Sequence, residues 1–309
     1  MISNPLRSAF IALSQNKPLR RFAENSRVGR KLSQRFIAGL HVEDALRAAE
    51  ALNREGILVS LDSLGENVYT EQAARRSAAT YHQLLDAIQQ RRLQANVSLK
   101  LTQMGLDLDP VLARDIVSEL VDHAVVADTF IRVDMEGTDY TQTTIDMTRA
   151  IHAIPGHAGR IGTVMQAYLF RCEEDIRALL ADGVRIRLCK GAYKEPPTLA
   201  FPEKKDVDAN YMKMMKILLT SGVYHGIATH DESIIRATKQ FVAAHTIDRR
   251  SFEFQMLYGI RRDLQRSLVK EGYKLRAYIP FGPEWYPYFM RRLAERPANA
   301  LFIAKNLFK

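Results

Sequence analysis

Residues 161–193 read IGTVMQAYLFRCEEDIRALLADGVRIRLCKGAY. The stretch opens with a β-rich run over 163–167. A polar-headed amphipathic segment follows over 171–182, and a second β-rich run over 184–188. A short apolar strand, a helix of about three turns and another short strand make a βαβ unit, whose two strands lie parallel. The same alternation extends in both directions. Strands are predicted at 57–61, 97–101, 130–133, 163–167, 184–188, 226–228, 252–255 and 275–279. Helices are predicted at 71–92, 110–125, 141–153, 171–182, 206–221, 231–244, 261–270 and 284–295. Eight such units indicate an α/β protein closed into a distorted (β/α)8 TIM-like barrel. An open doubly wound sheet is the competing layout. Against it, no GxGxxG turn follows any of the strands.

Before the first strand, residues 5–52 carry helical periodicity, with Val42, Ala45, Leu46, Ala49 and Leu52 on one face. The expected organisation is a helical N-terminal arm, 1–54, and one barrel domain, 55–309. No Gly/Ser- or Pro-rich linker divides the barrel.

The 309 residues carry a formal charge of +9, with 47% hydrophobic and 26% charged residues. That composition excludes disordered, collagen-like and low-complexity classes. The isoelectric point near 9.5 favours acidic partners without choosing among nucleic acid, anionic lipid and small anions. Much of the excess sits at the start, where Arg7, Lys17, Arg20, Arg21, Arg27, Arg30, Lys31 and Arg35 face only Glu24. Nucleic-acid binding requires a clustered basic face with aromatic residues or a known module, and neither is present. Cys172 and Cys189 make no disulfide framework and fit no zinc spacing, and the eight histidines show no metal-ligand pattern, so no metal is expected. The first apolar run, 9–13, is too short for a secretory signal, and no stretch approaches the ~20 apolar residues of a membrane span. The expected location is cytoplasmic.

A parallel barrel builds its active site at the C-terminal ends of its strands. Nearly every predicted strand ends in a polar residue: Asp62, Lys100, Asp134, Gln166, Arg187, Thr229 with His230, Gln255 and Tyr278. One such residue is more often part of a rim ion pair than a catalytic group. Eight on one rim call for a ligand, because burying so many polar groups is costly. Two further stretches stand out. In RIRLCKGAYKEPP (185–197), Lys190 and Gly191 offer charge and close backbone approach to an anion. In the last helix, Arg291 and Arg292 lie four and three residues from Glu295, and paired guanidinium groups suit a carboxylate.

Taken together these segments resemble proline dehydrogenase, the flavin-dependent family of proline catabolism. The resemblance runs from about residue 57 to 300. It rests on LDSLGE (61–66), SLKLTQMG (98–105), VDMEG (133–137), MQAYL (165–169), RLCKGAY (187–193), ATHD (228–231), EFQMLYG (253–259), AYIPFG (277–282) and RRLAER (291–296). The absence of an aldehyde dehydrogenase region resembles the monofunctional bacterial form. The resemblance implies FAD, oxidation of L-proline to Δ1-pyrroline-5-carboxylate with hydride passing from proline C5 to flavin N5, and a membrane quinone as acceptor. It implies that Lys100, Arg291 and Arg292 bind the substrate carboxylate, that Tyr278 and Leu257 flank the ring, and that Glu295 orients the arginines. Glu66 would pair with Arg291. Arg187 and Asp134 become the catalytic pair beside the flavin. Met135, Gln166, Lys190, Gly191, Ala192, Thr229, His230 and Arg292 become cofactor contacts. Lys194 stands where some members carry Trp.

The amine proton would go to solvent, Asp134 or Tyr278. An enzyme feeding quinone must meet a membrane, and the basic arm and the 302–309 tail are candidate contacts with anionic lipid. The alternative enzyme is a lyase or aldolase that uses Lys100 or Lys190 as a Schiff-base amine.

Overall fold

A computed structural model describes residues 35–193 and 195–295, except for the side chains of 291–295. Eight parallel strands close into a barrel in sequential order, β1 hydrogen-bonding to both β2 and β8. The strands are β1 Leu58–Ser63, β2 Ala95–Leu99, β3 Ile131–Val133, β4 Ile161–Gln166, β5 Arg185–Cys189, β6 His225–Ala228, β7 Phe252–Leu257 and β8 Lys274–Phe281. Helix α1, Val42–Arg54, precedes β1. Helices α2 Glu71–Gln90, α3 Pro110–Val126, α4 Thr138–His152, α5 Cys172–Ala181, α6 Lys204–Leu219, α7 Glu232–Ala244, α8 Arg262–Lys270 and α9 Trp285–Glu295 each follow one strand. Closure rules out the open sheet. Among the described residues no helix is long and apolar enough to cross a membrane.

Local chemistry starts the helices where the sequence suggests. The Thr70 hydroxyl accepts from Ala73 N, Asp109 caps α3 ahead of Pro110, and Asp231 caps α7 through Ser233 N. Helix α4 begins three residues earlier than predicted. Its first turn is capped from a distance: Thr138 N and Oγ1 donate to the Glu195 carboxylate at 3.0 and 2.6 Å. No local signal carries a cap borrowed from 57 residues away.

Strand alternation sorts the barrel. Outward residues such as Leu61, Leu99, Ile186, Phe254 and Ile279 are fully buried beneath the helices. Inward residues are mostly polar: Ser60, Ser98, Arg132, Arg187, Glu253 and Gln255 are buried, and Arg276 is partly so. Their direction is proved by contacts across the lumen, since Arg187 on β5 reaches Ser98 on β2 at 3.0 Å. Most barrels fill this space with aliphatic layers. Here hydrogen-bonded polar groups fill it.

The weak sequence signal of β6 owes itself to that lumen, and β4 carries a second glycine there. A Cβ on Gly162 of β4 would come within 2.1 Å of the Arg185 carbonyl and 3.0 Å of an Arg132 guanidinium nitrogen. A Cβ on Gly226 of β6 would meet the Gln255 amide at 2.4 Å. Glycine lowers strand propensity, yet at both places it leaves room for a polar side chain from a neighbouring strand.

The segment described before β1 belongs to the same body. Ala45, Leu46 and Ala49 of α1 join the core shared by β1 and α2. Ala38 N donates to Pro280 O, and Gly282 N to Gly39 O, both at 3.0 Å. Phe36 and Ile37 pack with Trp285, Phe289 and Met290 of α9. The chain start thus buttresses the helix that carries the arginine pair.

Gly162→Ala is expected to cost about 1–3 kcal/mol by overpacking the lumen, read as a lowered thermal midpoint with unchanged far-UV circular dichroism. A second expectation concerns acid. His225 is buried, accepting from Ile186 N at 3.0 Å, and burial pushes its pKa down to about 3. Between about pH 6.5 and 3 the unfolded chain binds this proton and the folded chain does not, so stability falls as the pH falls. From pH 7 to 5 the loss from this residue is roughly 2 kcal/mol, and denaturant titrations of His225→Asn at the two pH values should show a drop smaller by that amount.

Candidate active site

The strand ends converge as expected, and Arg187 is at their centre. It rises from β5, its guanidinium buried with one side chain in contact on each of several strands. Nη1 donates to Asp134 Oδ1 at 2.7 Å, Nε to Gln255 Oε1 at 2.5 Å and Nη2 to Ser98 Oγ at 3.0 Å. Asp134 sits just past β3, where its own N–H continues the ladder to Leu99 O. Its second oxygen accepts from the Tyr278 hydroxyl at 2.7 Å. The Arg187 guanidinium carbon also lies 5.1 Å from the centre of the Tyr278 ring. Arg187, Asp134 and Tyr278 therefore form one unit. Burial, and then the charges of Asp134 and Asp62, push the Tyr278 phenol well above its ordinary pKa, so it stays protonated and donates.

Beside this unit, Lys100 Nζ lies 3.8 Å from Asp62 Oδ1, both groups buried. Among the described residues neither oxygen of Asp62 has a hydrogen-bond partner. Burial opposes the Lys100 charge, but Asp62, Glu66 and Asp134 outweigh it and hold the amine above its usual range. Burial is the main influence on Asp62 and raises its pKa, against the opposing pull of Lys100. A Schiff-base lysine needs a neutral amine. Lys100 is held protonated, which removes the aldolase reading for it.

Other predicted residues fall around the same rim. Gln166 Nε2 donates to Glu136 O at 2.9 Å, and Met135 is buried next to it in sequence. His230 Nε2 accepts from Leu257 N at 2.9 Å, which joins the ends of β6 and β7. Thr229 Oγ1 accepts from Asp231 N.

The RLCKGAY segment needs a correction. Lys190 Nζ lies 2.5 Å from Asp208 and 2.9 Å from Asp231, so its ammonium is already neutralised and is not a bare anion hook. Gly191, at φ 110°, has a second reason to be glycine: a Cβ there would stand 2.2 Å from the Tyr168 ring. Ala192 follows it on the same loop. Cys189 and Cys172 are free thiols whose pKa burial raises, to about 11 for Cys189, which makes both poor nucleophiles.

Arg291, Arg292 and Glu295 belong to α9, but their side chains lie outside the described residues, as do residues 1–34, Lys194 and the 302–309 tail. Sequence reading missed Ser60 and Ser98. Each sits two residues before a rim group, Asp62 or Lys100, and strand alternation therefore points it into the lumen. It also missed the pair beneath them, Arg276 on Glu253 at 2.6 Å.

Residues 45–305 match the family described as Proline dehydrogenase. The chain belongs to the proline dehydrogenase family. It is 42% identical over 306 residues to "Proline dehydrogenase 1" of Bacillus subtilis, an alignment covering 98% of this chain and 99% of that protein. "Proline dehydrogenase" of Deinococcus radiodurans is 39% identical over 317 residues, the whole of both chains. Among solved structures, proline utilization A from Bdellovibrio bacteriovorus, inactivated by N-propargylglycine, shares the fold with a TM-score of 0.83 at 23% identity. That match covers 95% of this chain and 36% of the other, so the chain spans about a third of the larger protein. The family is one of oxidoreductases of proline catabolism, and the barrel is its fold.

Because Arg187 is buried and the Asp134 side chain is only 14% exposed, removing one partner leaves the other charge largely uncompensated. Asp134→Ala should cost about 3–5 kcal/mol in denaturant unfolding. In the double variant with Arg187→Ala, much of that loss should be recovered, since no unpaired charge remains; additive losses would show that the pair is not coupled.

Proposed function

We propose that this chain oxidises L-proline to Δ1-pyrroline-5-carboxylate, with FAD as its bound redox cofactor and quinone as the final electron acceptor. One observation carries the reading: a chain aligned end to end with proline dehydrogenases holds a buried guanidinium, Arg187, fixed at the centre of its barrel mouth. FAD, when bound there, would supply the two-electron acceptor for the hydride of proline C5, and the amine proton leaves separately.

The residues present fit that cofactor. Hydride transfer makes the ring electron-rich, and a preorganised cation beside it stabilises that charge without reorganising at the moment of reaction. Arg187 meets the requirement, since Asp134, Gln255 and Ser98 hold it in place. Met135, Gln166, Gly191, Ala192, Thr229, His230 and Arg292 are the further flavin contacts. Lys190 joins them through its backbone, because its ammonium is spent on Asp208 and Asp231.

Lys100, with Arg291 and Arg292, grips the proline carboxylate and turns binding into orientation. Tyr278 and Leu257 flank the ring, Glu295 aligns the arginines, and Glu66 pairs with Arg291 over bound substrate. Both Asp134 oxygens already accept hydrogen bonds and Tyr278 gives up its own donor to one of them, so solvent takes the amine proton. The protein works in the cytoplasm and meets the anionic inner face of the membrane through its basic arm and tail to reach quinone.

Purified protein should be yellow, and L-proline should bleach it without oxygen; colourless protein that takes up no added FAD would defeat the reading. Arg292→Met should raise the proline KM roughly 10- to 100-fold, as expected for losing a charge-assisted carboxylate contact, and lower flavin content far less, since Arg292 is one flavin contact among many.

A further inference from the structure

Below the Arg187 unit, the lumen holds a second ion pair. Arg276 of β8 clasps Glu253 of β7 through Nε at 2.6 Å and Nη2 at 3.0 Å. Its Nη1 donates to Val59 O at 2.7 Å, which ties the pair to β1. The Tyr224 hydroxyl adds a bond to Glu253 at 2.9 Å. This pair has strong partners on all sides and is a rigid point in the barrel.

One residue joins it to Arg187. Gln255 Nε2 donates to Glu253 Oε1 at 2.5 Å, and Gln255 Oε1 accepts from Arg187 Nε at 2.5 Å. The two neighbours fix which way the amide faces. A guanidinium only donates and a carboxylate only accepts. An amide is the side chain of this length that offers an acceptor to one and a donor to the other. A glutamate here would present two acceptors, one of them against Glu253. A methionine would leave the Arg187 Nε without a partner. The barrel also reserves space for this amide, since a Cβ on Gly226 would stand 2.4 Å from its nitrogen.

We propose that Gln255 is a positioning residue for the reaction: it fixes the plane of the Arg187 guanidinium by hanging it from the Glu253–Arg276 pair. The inference rests on the reading of Arg187 as the cation beside the flavin. Asp134 and Ser98 hold the outer nitrogens of the guanidinium. Nε is the atom nearest the backbone, and its bond sets the rotation of the whole plane. Without it the group can pivot about its outer contacts, and the charge ceases to be preorganised.

The test uses the full chain loaded with FAD, as wild type, Gln255→Met and Gln255→Glu. Anaerobic stopped-flow gives the limiting rate of flavin reduction and the proline Kd, and dye equilibration gives the flavin midpoint potential. Gln255→Met should lower the limiting rate about tenfold or more and move the potential to more negative values, with the Kd within about threefold and flavin content unchanged. Gln255→Glu restores an acceptor for Arg187 but adds a buried negative charge, so its potential should fall further while flavin stays bound. Rates within about twofold of wild type, with an unmoved potential in both variants, would overturn the proposal. If Gln255→Met yields no folded flavoprotein, Gln255→Leu, which likewise removes the Nε acceptor without adding a charge, decides on the same criterion. Wild-type flavin that proline does not bleach would instead sink the reading of the reaction, and a displaced potential in the variants would still support Gln255 as the residue that sets the cation.

Discussion

A guanidinium inside a β-barrel must be paid for in hydrogen bonds, and that constraint organises this molecule. Isolated burial of a charge is prohibitive, whereas a buried charge with its donors satisfied is tolerable. Arg187 meets it with a carboxylate just past β3, an amide from β7 and a hydroxyl from β2. Each partner creates a demand of its own. Asp134 needs a second donor and takes Tyr278; Gln255 needs an acceptor and takes Glu253; Glu253 needs a cation and takes Arg276. The chain of demands runs through the lumen until it reaches backbone carbonyls, which accept without further requirement.

That logic explains what was legible in the sequence and what was not. Outward strand residues and amphipathic helices read plainly, because burial against a sheet imposes a period on the residues themselves. All eight predicted strands and the eight helices that follow them are present, with ends displaced by a few residues. The rim residues were legible for a related reason: each ends an apolar run. The lumen was harder. Arg132, Glu253 and Arg276 sit inside β-rich runs, where a charged residue looks like a flaw in the strand. Gly226 blurred β6 for a like cause, since it makes room for the Gln255 amide, as Gly162 of β4 does for Arg132. Alternation alone held the clue: Arg185 and Arg187, and Arg276 and Tyr278, occur two apart and so share a face.

The two ends of the chain were read from different kinds of information. The arm boundary at residue 54 coincides with the end of α1, yet α1 packs into the barrel core as the flanking helices do. Periodicity shows that such a helix has an apolar face, and it does not show what that face covers. The hold that residues 36–39 take on β8 and α9 is likewise invisible locally, because its partners lie more than 240 residues away. The roles given to Arg291, Arg292 and Glu295 come from motif order, with α9 supplying the helix on which their spacing has meaning.

The mouth contrasts one firmly held cation with one that is not. Arg187 donates to Gln255, Asp134 and Ser98 and cannot move without breaking several of these bonds. Among the described residues Lys100 has a single ion-pair partner, Asp62 at 3.8 Å, and Asp62 itself has no hydrogen-bond partner there. The difference suits the two tasks. A cation that stabilises developing charge is most effective when it is already in place, because any motion it must make is added to the barrier. A cation that binds substrate must retain capacity for an incoming carboxylate, and full pairing within the protein would have to be undone first. An incompletely satisfied buried pair costs stability in the empty enzyme, and substrate binding can recover part of that cost. Rigidity beside the flavin and unmet hydrogen-bonding capacity beside the substrate thus arise from one barrel, set by how many neighbours each strand end was given.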